Sequence, residues 1–202
     1  MQQYSSPLIF VRHGATDWNR QSRYQGTTDT RLSPVGVDQA ASQSRTICEL
    51  AKTEDFDLDK ALIVTSPLRR AQETAEIIRT SLKLHSKPRI EPAFRELSMG
   101  RWEGLTSQEV KDQYYLERKS RKANRWEFRP EGGESMADRK GEIDAALMNL
   151  PPNTILITHS VVLRVICFLL GADSKENCAV RQTPHDETLC WNGAKLHRQR
   201  LN

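Results

Sequence analysis

Histidine, arginine and serine side chains follow three apolar, strand-like runs of this sequence. The run "LIFV" leads directly into Arg12 and His13, and "TILIT" leads into His159. A third run, "ALIVT", leads into Ser66 and, about one helical turn later, into Arg69. In an open α/β sheet, ligands lie beyond the carboxyl ends of the strands. We therefore expect two imidazoles and two guanidiniums to converge on one rim of a sheet and to form an anion pocket.

A phosphoryl group is the anion that suits this set of side chains. Arginine presents a planar fork of donors that matches phosphate oxygens, and two arginines with a helix N-terminus would neutralise a dianion. A neutral imidazole is a good nucleophile, and the positive charge of Arg12 disfavours protonation of His13. Any one of these residues alone is more often structural, but the same chemistry at three strand ends favours a site with His13 as the nucleophile.

Such a pocket also needs an acid for the leaving oxygen. The segment "FRELSMGRWEG" (94–104) offers two carboxyl groups, Glu96 and Glu103. A carboxyl group that is partly removed from water beside a bound phosphate can hold a proton near neutral pH. Both residues are therefore candidates for the proton donor.

Strand-like and helical segments alternate along the chain, which predicts a mostly parallel sheet covered by helices on both faces. Polar capping residues indicate helix starts at Ser33-Pro34, at Ser66-Pro67 and at Ser135 with Asp138. The second of these helices should run to about Leu82, and Gly171 should close the apolar helix that follows "TILIT".

The predicted fold class is α/β, a three-layer α/β/α sandwich whose mostly parallel central sheet has an antiparallel edge strand and a small helical cap insertion. Asn192-Gly193 lies between two alternating segments and predicts a two-residue hairpin at the sheet edge. The length of 202 residues suits a single domain over 1–202 with the cap at about 105–130. An edge hairpin of this kind leaves a homodimer open.

The segment from Thr106 to Arg129 is helical in propensity, polar and basic. Residues 111–129 hold seven Lys or Arg against three Asp or Glu, a surplus of four that equals the formal net charge of the whole chain. We interpret the segment as an insertion lying over the site, and a solvated helix face is the alternative. Its tyrosines and Trp126 could also stack on bases in a non-catalytic module that binds phosphorylated ligands or RNA.

The composition argues against several other classes of protein. A net charge of +4 is too small for a nucleic-acid-binding tail, so no nucleic acid partner is expected. The four cysteines form no CxxC pair, and the N-terminus has no signal-peptide pattern, which favours a cytoplasmic location. The longest apolar stretch, "VVLRVICFLLGA", is too short to span a membrane and is interrupted by Arg164.

The histidine spacing does not indicate a metal site. None of the five histidines forms an HxH or HxxxH pair, so we predict no metal and no other cofactor. His185, in "TPHDE", could line the rim of the site.

The order and spacing of these motifs resemble those of the histidine phosphatase superfamily, whose members include phosphoglycerate mutases. The motifs are "RHG", "WN", "QG", "SPLRRAQET", "RELSMGRWEG", "PEGGES" and "ITHS", and they extend from about Leu8 to Arg164. Three residues such as "RHG" recur by chance, whereas this many motifs in order are specific.

The resemblance implies a role for each matching residue. His13 would become phosphohistidine, and Glu96, four residues before Gly100, would be the proton donor. Glu103 would be structural, beneath the site. The remaining residues implied to contact the phosphate are Arg12, Arg69, His159, Asn19 and Gln25. Trp18 and Trp102 would serve in packing.

The chain departs from the family pattern at a few positions. Ala15 stands where the family often has Glu, and Ser160 stands where Gly is usual. Cofactor-dependent mutases follow their acid with Arg and have Tyr two residues later, but Leu97 and Met99 occupy those positions here. With its short cap, the chain is therefore expected to hydrolyse phosphomonoesters, and the phosphoglycerate mutase reaction is the alternative. The expected substrate is a small phosphorylated metabolite, with further negative charge suited to the basic cap.

Overall fold

The strand "LIFVR" lies inside a six-stranded sheet. The computed structural model describes residues 4–200, and the strand order across the sheet is β3-β2-β4-β1-β5-β6. The strands are β1 (Leu8–Arg12), β2 (Leu62–Thr65), β3 (Arg89–Ile90), β4 (Thr154–Thr158), β5 (Glu187–Trp191) and β6 (Leu196–Arg200). The first four strands pair in parallel, while β5 and β6 are antiparallel, so that side of the sheet ends in the antiparallel hairpin that the sequence predicts.

The register of the parallel strands places three strand ends side by side. Arg12 at the end of β1 pairs with Thr158 at the end of β4, and the amide of His13 donates to the carbonyl of Thr158 at 3.0 Å. On the other side of β4, the amide of Ser66 donates to the carbonyl of Ile157, also at 3.0 Å. The residues that follow β1, β4 and β2 therefore leave the sheet along one rim, as the sequence predicts.

Helices cover both faces of this sheet, which confirms the three-layer α/β/α architecture. In residues 4–200 they are α1 (Asp17–Arg20), α2 (Pro34–Thr53), α3 (Arg69–Ser81), α4 (Ser107–Gln113), α5 (Tyr115–Ala123), α6 (Met136–Met148), α7 (Ser160–Leu169) and α8 (Lys175–Val180). Side chains of a strand alternate between its faces. Ile9 and Val11 accordingly pack with α2 and α3, whereas Leu8 and Phe10 pack with α6 and α7. Among the described residues, no helix combines the length and apolar character needed to cross a membrane.

The capping signals locate most helix starts correctly. Ser33 caps α2 by accepting a hydrogen bond from the amide of Gly36, and the capping box of Ser135 and Asp138 opens α6. Gly171 follows α7 with a φ of +68°, a left-handed conformation that glycine adopts without strain.

The predicted start of α3 at Ser66-Pro67 is wrong by two residues. The helix begins at Arg69, and its N-cap residue, Leu68, has no side chain that can cap. The hydroxyl of Ser66 accepts from the amide of Leu68 at 3.2 Å and lies 2.7 Å from Nε2 of His159. Ser66 is therefore part of the rim and does not begin the helix.

The hairpin between β5 and β6 has a longer loop than the sequence predicts. The loop spans the four residues 192–195, and the side-chain oxygen of Asn192 accepts from the amides of Ala194 and Lys195. Gly193 has a φ of +90° and passes close to the carbonyl of Ser5. An Asx-type loop of this kind satisfies its own backbone amides, so the two-residue turn is not needed.

The segment predicted as a cap contains α4 and α5. It packs against the 100–102 turn, where Nε1 of Trp102 donates to Glu117 at 2.9 Å. Trp102 itself is fully buried, in agreement with the packing role given to it. Trp126 is 4% exposed and its ring lies 4.8 Å from that of Phe168, so it belongs to the core and cannot stack on a base.

Candidate active site

His13 is held in one tautomer by its two hydrogen-bond partners. Nδ1 lies 2.7 Å from the carbonyl oxygen of Gly14, which can only accept, so Nδ1 carries the proton. Nε2 lies 3.3 Å from Nε of Arg70, and a guanidinium can only donate, so Nε2 presents its lone pair. A Cβ on Gly14 would lie 2.2 Å from the carbonyl oxygen of Gly36, so only glycine lets the chain turn this closely after His13. The lone pair of Nε2, which accepts this long hydrogen bond from Arg70, is the atom through which the predicted nucleophile would act.

The environment of His13 keeps its imidazole neutral. Burial lowers the pKa of His13 well below 6.5, and the nearby positive charges of His159 (when protonated), Arg70 and Arg12 lower it further. The ring therefore stays unprotonated at neutral pH. A neutral ring is the form that can attack phosphorus.

His159 lies beside His13 at the end of β4. The ring centroids are 5.1 Å apart, as the convergence of strand ends predicts. Burial, followed by the charges of Arg70 and Arg12, also lowers the pKa of His159 well below 6.5. Its Nε2 contacts Ser66, whereas its Nδ1 is buried and has no hydrogen-bond partner in residues 4–200. A buried polar atom without a partner is costly, so this nitrogen is suited to a ligand.

The structure places Arg70, and not Arg69, beside His13, which corrects the sequence prediction. Arg70 is 1% exposed, and its Nη1 and Nη2 each donate to a carbonyl of the 26–28 loop at 2.8 Å. Arg69 is exposed, its Nε donates to Glu73 at 2.7 Å, and it lines a separate cavity of about 750 Å³. Both arginines lie in α3 and are consecutive in sequence, so their side chains project about 100° apart around the helix.

Arg12 lies at the end of β1, next to His13. Its Nη1 donates to the carbonyl of Thr183 at 2.7 Å, while its buried Nε has no partner among the residues the structure describes. Burial lowers the pKa of Arg12 to about 10, and Arg164 and Arg70 contribute to the decrease, but the group stays charged at neutral pH. Arg12 therefore brings positive charge into the pocket without a carboxylate partner.

Asn19 and Gln25 also line the cavity that contains His13. The side-chain oxygen of Asn19 accepts from the amide and hydroxyl of Thr16, and that of Gln25 accepts from the hydroxyl of Thr30. Because both oxygens are engaged, the amide NH₂ groups are the polar atoms that each residue can offer to an anion. Their placement agrees with the predicted role, which stays a prediction.

Glu96 and Glu103 have different surroundings. Glu96 lines the cavity with His13, and its carboxyl oxygens accept from the amides of Leu97 at 3.0 Å and Val161 at 3.2 Å. Glu103 accepts hydrogen bonds from the backbone amides of Met99 and of residues 27–28, and from nearby hydroxyls. Burial alone would raise the pKa of Glu103, but these hydrogen bonds together lower it below its ordinary value. Glu103 is thus a fixed carboxylate beneath the loop, and Glu96 is the carboxyl at the site.

Two adjoining cavities open at this rim. The inner chamber, about 230 Å³, is lined by His13, Arg70 and Glu96, and the outer chamber, about 540 Å³, is lined by Ser107 and Gln182. Six residues line both chambers: Arg12, Asn19, Arg23, Tyr24, Ser160 and Arg164. A small phosphate ester can therefore place its phosphoryl group beside His13 and extend the rest of the molecule outward.

Known proteins share this arrangement of sequence and fold. The sequence profile of the histidine phosphatase superfamily (branch 1) matches residues 8–200. The chain belongs to this superfamily. It is 42% identical over 108 residues to the uncharacterized phosphatase PhoE of Bacillus subtilis, covering 53% of this chain and 50% of PhoE. It is also 29% identical over 194 residues to a probable phosphoglycerate mutase GpmB of Enterobacter, covering 90% of this chain and 86% of that protein.

A solved structure shares the fold over nearly the whole chain. The mycobacterial glucosyl-3-phosphoglycerate phosphatase Rv2419c, in complex with VO₃, superposes with a TM-score of 0.78 at 24% identity, and 98% of each chain is covered. This likeness concerns the fold. The sequence matches span about half or less of the first curated relatives, 50% of PhoE and 42% of a Mycobacterium tuberculosis glucosyl-3-phosphoglycerate phosphatase.

In this member of the histidine phosphatase superfamily, the 182–186 loop supplies contacts that the sequence suggested only faintly. Nδ1 of His185 donates to the backbone carbonyl of His13 at 2.7 Å, and the two rings lie 5.4 Å apart. Thr183 accepts from Arg12 through its carbonyl and contacts Ser160 through its hydroxyl. Burial and the charge of Arg12 lower the pKa of His185 to about 4. The loop follows no strand, so only its polar composition could have signalled a role.

Proposed function

We propose that the chain is a phosphomonoester hydrolase that acts through a phosphohistidine on His13, with a small phosphorylated metabolite as substrate. The main support is the fixed tautomer of His13, whose ring lines the inner chamber and whose unprotonated Nε2 accepts a long hydrogen bond from Arg70. The phosphatase names among its relatives support the same reaction.

In the first step, the lone pair of Nε2 attacks phosphorus and the ester P–O bond breaks. The leaving oxygen takes the proton of the Glu96 carboxyl group, so the alcohol departs neutral. The phosphoryl group is then bound to Nε2, while Nδ1–H of His13 still donates to the carbonyl of Gly14. That hydrogen bond stabilises the positive charge that the ring acquires.

In the second step, water attacks the phosphoryl group and gives its proton to the Glu96 carboxylate. The P–N bond breaks, its electron pair returns to Nε2 of His13, and inorganic phosphate leaves. The carboxyl group is protonated again for the next cycle. Two backbone amides, those of Leu97 and Val161, hold this carboxyl group in place throughout.

Positive charge that is fixed before the reaction stabilises the transferring phosphoryl group. Arg70 is buried, Arg12 is half-buried, and both are tied to backbone carbonyls, so they need little reorganisation when the substrate binds. His159 would offer its Nδ1, which has no hydrogen-bond partner in residues 4–200. Removing one such donor from an enzyme typically costs about 10²–10³ in kcat.

The phosphoglycerate mutase reaction is the second candidate, because GpmB matches 90% of the chain. A mutase must keep its phosphohistidine away from water until a second substrate accepts the phosphoryl group. Leu97 and Met99 here lack the polar groups that the mutase pattern places after its acid. Incubation with 3-phosphoglycerate, with and without 2,3-bisphosphoglycerate, separates the two: a hydrolase releases phosphate, whereas a mutase forms 2-phosphoglycerate.

The test of the proposal is turnover of p-nitrophenyl phosphate by the wild type, His13→Ala and His85→Ala. His85 is an exposed histidine outside both chambers and is the matched control. We expect release of p-nitrophenol by the wild type and His85→Ala, and none above background by His13→Ala. Undiminished turnover by His13→Ala would contradict the assignment of the nucleophile.

A further inference from the structure

Four guanidinium groups around the inner chamber have no carboxylate partner. Arg12, Arg70, Arg121 and Arg164 line this chamber, and none of them forms an ion pair in residues 4–200. The carboxyl group of Glu96 is the acidic side chain lining the same chamber. Unpaired charges that are partly removed from water are unfavourable, so this cluster is suited to bound anions.

A phosphoryl group beside His13 accounts for only part of this charge. The dianion would offset the two guanidiniums nearest the ring, Arg12 and Arg70. The charges of Arg121 and Arg164 would remain without an anion, and neither residue takes part in the proposed attack of His13 on phosphorus. Arg23 also lines the chambers, but it lies 3.5 Å from Glu109 and donates to the carbonyl of Gly104.

Arg164 is fixed at the boundary between the two chambers. It lies one helical turn into α7, lines both chambers, and has a buried Nε without a partner among the described residues. Its Nη1 donates to the carbonyl of Ala179 at 3.3 Å, which holds the side chain in place. Burial, together with the charge of Arg121, lowers the pKa of Arg164 to about 10, so it is still charged at neutral pH.

Arg121 lines the inner chamber from the cap helix α5. Its guanidinium lies over the ring of Tyr24, 5.8 Å from the centroid, and Tyr24 packs against the fully buried Trp102 at 5.3 Å. The aromatic pair gives Arg121 a rigid support at its place near the chamber wall. Two guanidiniums from separate elements therefore line the inner chamber, and that of Arg164 also lines the outer chamber, which His13 does not reach.

The outer chamber is polar, and no acidic side chain of the described residues lines it. Besides its arginines, it presents the hydroxyls of Ser22, Ser107 and Ser160. A ligand portion lying here would meet hydroxyl groups and positive charge, and little apolar surface. That chemistry suits a small, hydroxyl-rich acid.

We propose that Arg121 and Arg164 form a second anion site, which binds a carboxylate or phosphate carried by the leaving group of the substrate. The substrate class is then a small, hydroxyl-rich phosphomonoester with a second anionic group. This inference rests on the proposed hydrolysis at His13, because it assigns the inner chamber to the reacting phosphoryl group.

Matched pairs of esters test the second site. 3-Phosphoglycerate and glycerol 3-phosphate differ only in a carboxylate against a hydroxymethyl group, and fructose 1,6-bisphosphate adds a second phosphate to fructose 6-phosphate. We expect kcat/KM to be about 10–100-fold higher for the doubly anionic member of at least one pair, the effect typical of a charge-assisted hydrogen bond. The pair that shows the preference identifies the second anion as carboxylate or phosphate.

Variants then assign the preference to residues. Arg164→Gln and Arg121→Gln should each reduce the ratio of kcat/KM values within the pair by about tenfold. Lys119→Gln removes an equal charge from an exposed position of α5 outside both chambers and should keep the wild-type ratio. Arg121 belongs to the cap helix α5 and Arg164 to the core helix α7, so the Arg121 variant serves even if loss of Arg164 prevents folding.

Each result decides one of the two proposals. Ratios near one for both pairs, in a protein that hydrolyses p-nitrophenyl phosphate, would overturn the second site and leave the hydrolase intact. A preference unchanged in both arginine variants would overturn the assignment of Arg121 and Arg164. If no ester is hydrolysed, the proposed function fails, and the second site is tested by calorimetric binding to the wild type. Binding of 3-phosphoglycerate about tenfold tighter than that of glycerol 3-phosphate supports the second site. Equal binding of the two, or no binding of either, overturns it.

Discussion

Replacement of Arg70 by Gln, set against the same change at Arg69, separates two arginines that are adjacent in sequence. Arg70 directs three donor groups inward: two to the carbonyls of the 26–28 loop at 2.8 Å and one to His13 at 3.3 Å. Arg69 is exposed and contacts Glu73. The structure therefore predicts a large loss of activity on replacing Arg70 and a small one on replacing Arg69.

The expected magnitude for Arg70→Gln follows from these contacts. Loss of a charged donor at the phosphoryl site should lower kcat by about 10²–10³. The buried carbonyl of Gly26 and the partly buried carbonyl of Thr28 also lose their donor, at about 1–3 kcal/mol each, so the free energy of unfolding should fall by about 2–6 kcal/mol. Arg70→Lys keeps the charge but loses the planar fork, and should fall between the wild type and Arg70→Gln.

The assay is steady-state hydrolysis of p-nitrophenyl phosphate, with urea unfolding of each variant to establish that it is folded at the assay temperature. Arg69→Gln should stay within about twofold of the wild type, as for other surface changes. If Arg70→Gln fails to fold, the comparison uses Arg70→Lys. Loss of activity in Arg69→Gln with near-normal activity in Arg70→Lys and Arg70→Gln would refute the placement of Arg70 at the phosphoryl site.

Other residues of the site give further predictions. Glu96→Gln should lower kcat/KM for an alkyl phosphate by about 10²–10⁴, but much less for p-nitrophenyl phosphate, whose leaving group needs no proton; equal losses for both esters would argue against a proton donor. Glu103→Ala leaves the amides that it accepts from without a partner and should lower the free energy of unfolding by about 3 kcal/mol in urea titrations; an unchanged midpoint would contradict its structural role. His185 has a pKa of about 4 when folded and about 6.5 when unfolded, so the unfolded state binds more protons between these values and stability falls as pH is lowered through them. Between pH 7 and pH 4, the free energy of unfolding should therefore fall by about 3 kcal/mol more in the wild type than in His185→Gln, measured by urea unfolding at both values. An identical loss in both proteins would contradict a neutral His185 ring in the folded state.

The position of His13 and His159 could be predicted because both depend on regular structure. Each follows a short apolar run, and parallel strands bring their carboxyl ends to one edge of the sheet. Pairing of Arg12 with Thr158 then leaves the two rings 5.1 Å apart. Strand periodicity and the rule for parallel sheets are sufficient for this part of the site.

The arginine of α3 could not be predicted at single-residue accuracy. Its identity depends on where the helix begins, and the Ser66-Pro67 signal indicates a start two residues early. Ser66 contacts His159, a tertiary contact that overrides the local capping preference. A helix rotates by about 100° per residue, so small errors in its start exchange an inward side chain for an outward one.

His185 could not be located either, for a different reason. It belongs to an irregular loop between α8 and β5, where no periodicity relates sequence position to direction in space. Its contact with the carbonyl of His13 joins residues 172 positions apart in the chain. Contacts of this kind depend on the packing of the whole fold.

Direct detection of phosphohistidine is the measurement that bears most closely on the central claim. The protein would be mixed with p-nitrophenyl phosphate, quenched in alkaline denaturant, where phosphohistidine survives, and digested for mass spectrometry. We expect one added phosphoryl group on the peptide that contains His13, labile in acid and absent from His13→Ala. A phosphoryl group on another residue, or steady hydrolysis by the His13→Ala protein, would contradict attack by Nε2 of His13.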